Sequence, residues 1–245
     1  MELIHCATFI VAFISSILSG IAGGGGSYIT APYWLVSGMT PAESSTTGNF
    51  MGIGIGASSL FAFRNSNHYP KNKKLTVVLI SITTIVSIMG ALIIPHIDTS
   101  SFRSILASIT ILSIPLLFIN RQNIYLHKKH QKIGITVLVF LLIASSIIAS
   151  SAFSILIAVG LSQLFSLTIL ESTALRRLIS FIQSGVIFVI LTLQGHFLLL
   201  HAVAAITGGS IGSYIGTKLS IKKGESFARY ALAVGAVAGA TALVW

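Results

Sequence analysis

The sequence predicts an all-α integral membrane protein with about eight transmembrane helices in two homologous four-helix halves, each half holding a short broken or re-entrant segment. Three observations predict it. The 245-residue chain is 54% hydrophobic and only 8% charged, with a mean hydropathy of +0.93; a soluble domain carries roughly a quarter charged residues. Its apolar runs are long and continuous, as spanning helices of ~20 residues require. Barrel strands would alternate instead. Finally, stretches of the first half can be laid over stretches of the second.

Taken in order, spans are expected at 3–20, 42–63, 75–95, 103–119, 133–153, 171–193, 198–218 and 227–244. The first is read as a retained helix and not a signal peptide, because Glu2 stands where a basic flank belongs. Two stretches, 24–38 and 154–168, are too short for full spans and are expected as broken or re-entrant helices. Each follows small or polar residues: Gly23 to Ser27 in one case, Ser145 to Ser154 in the other. Glycine lowers helix stability and uncovers backbone N–H and C=O groups. In hydrocarbon those groups must be satisfied by protein or by a water-filled cavity.

The duplication lays Thr40-Pro41-Ala42-Glu43-Ser44-Ser45 over Thr168-Ile169-Leu170-Glu171-Ser172-Thr173, and His68-Tyr69 over His196-Phe197. It divides the chain into a first membrane repeat at 1–125 and a second at 126–245. Four spans per half is an even number, so the halves are expected to share one orientation; if the short stretches cross completely, that inference reverses. The net charge of +10 sits mostly in short connections such as 64–74 and 120–132. It reads as a topology signal and as headgroup contact with the lipid bilayer, not as a nucleic-acid surface. Both basic loops and both termini are then cytoplasmic, with the 218–225 connection and its Lys218, Lys222 and Lys223 in conflict.

The run Gly20-Ile21-Ala22-Gly23-Gly24-Gly25-Gly26-Ser27-Tyr28-Ile29-Thr30-Ala31-Pro32, followed by Gly38-Met39-Thr40-Pro41-Ala42 and Thr46-Thr47-Gly48-Asn49, resembles the sulfite exporter TauE/SafE family of membrane anion transporters. So does the later segment Gly208 to Gly216. The second half departs from the pattern, with Ser150 to Ser154 and Gly160 in place of the glycine run. The resemblance implies secondary transport, in the direction of export, of small sulfur-containing anions such as sulfite or organosulfonates. It implies coupling to a proton or to the membrane potential, and a place in a prokaryotic plasma (inner) membrane.

The substrate-binding candidates begin with Gly23, Gly24, Gly25, Gly26 and Ser27. A half-helix starting there would turn N–H groups and a positive dipole end toward an anion; close helix packing is the competing reading. Thr46, Thr47 and Asn49 offer neutral donors, or simple interhelical bonds worth ~0.6 kcal/mol each. Arg176 and Arg177 stand one to two turns into an apolar helix, where an arginine costs at least ~2.5 kcal/mol and faces a cavity or a partner. A guanidinium matches an oxyanion through paired N–H groups. Only one of the two is expected to face the cavity, with the other snorkelling outward; a later helix start would leave both at the headgroups. Gln183 is a further polar candidate, as is Gln163. Glu43 and Glu171 hold matching positions at helix starts, where they either cap or carry a coupling proton.

The histidines and the single Cys6 form no metal-ligand spacing, so neither a metal nor a cofactor is expected. With no phosphate-binding P-loop, energy must come from a gradient or a partner. An intramembrane serine protease is disfavoured, since no serine has a helix-borne histidine beside it. The function expected is alternating access at a central site between the repeats. An anion channel or a non-transporting membrane scaffold is the alternative.

Overall fold

The computed structural model describes residues 2–24, 26–66, 68–69, 72–102, 104, 108, 131–148, 152–165, 167–224 and 227. Among them the regular structure is helical: α1 (Glu2–Ala22), α2 (Ser27–Val36), α3 (Pro41–Phe63), α4 (Lys73–Ile93) with a 3₁₀ turn Ile94–His96, α5 (Gln131–Ile148), α6 (Ala152–Phe165), α7 (Ile169–Leu193) and α8 (Leu199–Lys223). The expected spans 103–119 and 227–244 lie almost wholly outside the described residues, as does the boundary between the halves near 125.

Local chemistry sets the helix ends. Gly23, at φ +77°, breaks the chain after α1, and Gly38, at φ +92°, turns it after α2; both angles lie where a Cβ is disfavoured. α3 and α7 open with the same device. In α3 the Thr40 hydroxyl accepts the Glu43 N–H at 3.3 Å, and the Glu43 carboxylate accepts the Thr40 N–H at 2.8 Å. In α7, Thr168 and Glu171 repeat this at 3.2 and 2.9 Å. Two otherwise orphaned donors are thereby satisfied at each start.

Four described helices are long and apolar enough to cross a membrane: Ile4–Ile21, Lys73–His96, Leu170–Leu193 and Leu199–Lys223. The protein is an integral membrane protein on that count. α3, at 23 residues, rises about 34 Å and so has the length, but its serines, threonines and glycines lower its hydropathy. It can carry them because it is wedged between α7 and α8, with Ser44, Ser45, Thr46, Thr47, Asn49 and Ser59 buried. α5 is described as far as Ile148, and residues 149–151 of the span expected to reach 153 lie outside the described residues.

Helix directions follow from pairs of touching residues. Gly208 meets Phe9, Gly212 meets Phe13 and Gly216 meets Ile17, so α1 and α8 run parallel. Ser59 bonds Ser213 at 2.7 Å and Thr217 at 3.1 Å, while Gly209 meets Met51; α3 and α8 are parallel too. Gly52 meets Ser184 and Gly56 meets Phe181, so α3 and α7 are antiparallel. The expected common orientation of the halves is therefore not found, because the helices with the paired Thr/Glu starts run in opposite directions. That reversal comes from α6, which doubles back along α5 and brings Gly160 to Leu138; the matching device in the first half is α2, which returns along α1. It begins with Gly26 beside Ser15 and Ser19 and brings the Tyr33 hydroxyl to Thr8 at 3.2 Å. With that return, α3 starts from the same side as α1.

Two of the apolar clusters among the described residues flank the middle of the assembly. One joins Ala12, Trp34, Met39, Met51, Ile55 and Ala205, from α1, α2, α3 and α8 with the turn before α3. The other joins Leu79, Leu138, Leu142, Ile157, Leu161 and Ile179, from α4, α5, α6 and α7. These groups do not coincide with residues 1–125 and 126–245: α8 packs into the first and α4 into the second. The groups meet where α3 crosses α7.

Candidate functional site

A cavity of about 110 Å³ opens at that meeting, near the midpoints of α3 and α7. On one side stand Ser19 of α1, Gly24, Gly26, Ser27 and Thr30 around the start of α2, and Ser45, Asn49 and Gly52 of α3. On the other stand Ser145 of α5, Ser154 of α6, and Arg176, Arg177, Ser180 and Gln183 of α7. α2 begins here with no side chain capping Gly26, and α6 begins here with Ser154 in its first turn. The positive ends of two short helices thus point at one small space.

Both arginines line the cavity and are buried, at 6% and 5% exposure. This corrects the expectation that one would snorkel outward. Neighbouring helix positions differ by about 100°, but α7 is packed by α3, α4 and α6 and touched by the end of α1, so both directions meet protein. Arg176 donates to the Ser154 hydroxyl. Arg177 donates to the Ser19 carbonyl, and to the Ser19 hydroxyl at 3.2 Å. Each guanidinium keeps a buried Nε with no partner, and so does the hydroxyl of Ser45. Among the described residues no aspartate or glutamate lines the cavity. A buried charge without a counter-charge is strongly unfavourable, so this space is suited to an anion.

The remaining candidates separate cleanly. Gly24, Gly26, Ser27, Asn49 and Gln183 line the cavity. Asn49 donates to the Ser45 carbonyl at 2.8 Å, and Gln183 donates to the Ser145 hydroxyl at 3.2 Å. Gly23 is not among the lining residues; a Cβ there would press on the Thr173 side chain at 2.7 Å. Thr46 donates back to the Ala42 carbonyl at 2.7 Å, and Thr47 is buried with an unpartnered hydroxyl; neither lines the cavity. Gly25 lies outside the described residues. Glu43 and Glu171 serve as helix caps away from the cavity, with Glu171 beside Tyr69, Asn72 and Thr76 in a separate small pocket.

Sequence reasoning missed Ser19, Ser154, Ser180 and Ser184 as cavity residues. For the last two a signal existed: Arg177, Ser180 and Ser184 follow the three-and-four spacing of one helix face. Ser45, Asn49, Gly52 and Gly56 do the same on α3.

Among known families, the sequence matches Sulfite exporter TauE/SafE over residues 8–243. It is 26% identical over 226 residues to a "Probable membrane transporter protein" of Haemophilus influenzae, covering 90% of this chain and 87% of the relative. Another "Probable membrane transporter protein", ORF9 of a Sinorhizobium species, is 24% identical over 245 residues, with 96% and 90% covered. The Escherichia coli K12 "Probable membrane transporter protein YfcA" is 25% identical over 228 residues, with 90% and 82% covered. No solved structure matches the chain.

Proposed function

The chain belongs to the sulfite exporter TauE/SafE family, and on that premise we propose that it is a secondary transporter, working as an exporter, of small sulfur-containing anions such as sulfite or organosulfonates. The observation that carries the reading is the pair Arg176 and Arg177, buried at the middle of the helix assembly with no carboxylate beside them among the described residues. An anion entering the cavity supplies the missing counter-charge. Guanidinium N–H groups and the starts of α2 and α6 bind its oxygens. Asn49, Ser45 and Gln183 add neutral polar contacts.

The two halves are read as inverted repeats, related by an axis in the membrane plane. The opposed directions of α3 and α7 and their identical caps support this. So does the match between two crossings: α1 on α8, and α5 on α4, where Gly90 packs on the Ser146 backbone. In this reading the moving bodies are the two packing groups, and the anion sits on their shared boundary. The caps leave Glu43 and Glu171 as weak proton carriers, so coupling to the membrane potential is the simpler scheme.

Flux into or out of liposomes tests this, using sulfite, a sulfonate, sulfate and chloride. Wild-type protein gives anion-dependent flux. Arg176→Gln and Arg177→Gln each lower it by at least about tenfold, since bonds to a charged group contribute about 1.5–3 kcal/mol. Absence of any anion-dependent flux, or unchanged flux in both variants, would sink the proposal.

A further inference from the structure

We propose that the cavity selects its anion by charge, taking one divalent oxyanion and discriminating against monovalent anions of the same shape. The inference rests on the reading of this cavity as the anion site, and it narrows the substrates of that reading to the divalent ones, placing sulfite ahead of any sulfonate with a single charge. Arg176 and Arg177 place two full positive charges on the wall. Their acceptors are neutral: the Ser154 hydroxyl for one, the Ser19 carbonyl and hydroxyl for the other. Among the described residues the cavity wall holds no aspartate, glutamate or tyrosine. The two helix starts add further positive partial charge.

A monovalent anion in this space neutralises one arginine and leaves the other buried and uncompensated. A divalent anion neutralises both. At short range and in a medium less polar than water, the second charge is a large difference. Geometry agrees with charge. The two guanidiniums are held by different helices, Arg176 by α6 and Arg177 by α1. Both line the space from α7, and each keeps an unpartnered Nε. A tetrahedral or pyramidal oxyanion has enough oxygens to engage both at once and still accept from the polar α2 start. The volume of about 110 Å³ has room for one such ion.

The test is isothermal titration calorimetry on the full chain in lipid nanodiscs, with three probes. Sulfate is divalent at every working pH. Methanesulfonate carries the same sulfur-bound oxygens with one charge. Sulfite loses its second proton near neutral pH and so reports both states in one molecule. The expected result is one sulfate per chain, with methanesulfonate weaker by at least about tenfold, and with sulfite affinity rising with pH while that of sulfate stays level. Arg176→Lys keeps the preference for sulfate. Arg176→Gln brings the two anions toward equal affinity. If wild-type protein binds methanesulfonate as tightly as sulfate, charge selection is overturned while the anion site stands. If none of the three binds saturably, the anion site falls with it. The wild-type comparison needs no variant, so it decides the matter even where a mutant misfolds.

Discussion

At the scale of the residue, the glycines divide into those that hold helices together and those that fill no need of packing. Gly20 sits where a Cβ would lie 2.6 Å from the Ser213 carbonyl oxygen and 2.8 Å from the Thr217 nitrogen, both backbone atoms. Gly20→Ala therefore has to separate α1 from α8, at about 1–3 kcal/mol. Gly185 has open space at its Cβ position and no positive φ, so Gly185→Ala should leave stability unchanged or raise it by up to ~1 kcal/mol. Thermal melts of both variants in detergent check this. Gly20→Ala should melt several degrees below wild type and Gly185→Ala at or slightly above it; equal melting points would refute the packing account. Nothing in the sequence separates these glycines, since both stand in apolar helices. Only the neighbouring backbone does so.

At the scale of the element, the Thr40–Glu43 and Thr168–Glu171 caps assign the two membrane-edge acids. Thr40→Ala removes a hydroxyl that accepts an N–H, and should lower stability by ~1 kcal/mol. Glu43→Gln keeps a side chain able to close the same box. Its transport should match wild type across pH, whereas flux that loses its pH dependence would make Glu43 a proton carrier. These caps were legible in the sequence, because Ser/Thr-x-x-Glu before an apolar run has a local cause. The break after α1 was legible for the same reason, as was the special status of Arg176 and Arg177. Helix direction was not. It turns on how far the short helices α2 and α6 travel back along α1 and α5, and that depends on contacts such as Tyr33 with Thr8 and Gly160 with Leu138, more than 20 residues apart in the chain. Nor was the fate of Thr46 and Thr47, for only packing decides whether a buried hydroxyl reaches the cavity, and neither of these does.

At the scale of the whole molecule, the two packing groups define what should move. A disulfide within one group ought to be harmless, and one between groups ought to arrest transport. In a Cys6→Ser background, Ser59→Cys with Ser213→Cys joins α3 to α8 inside the first group. Gly52→Cys with Ser184→Cys joins α3 to α7 across the boundary. Oxidation should spare flux in the first pair and abolish it in the second, with recovery on reduction; arrest by both would mean that the groups are not the moving bodies. The interleaving of the groups also bears on how the protein is made. Because α8 completes the group begun by α1 and α3, the ribosome must deliver residue 223 before the first helices find their glycine-rich partner. Until then the polar stripe of α3 waits in the bilayer half covered, so nascent chains stopped short of α8 should be preferred substrates for membrane proteases.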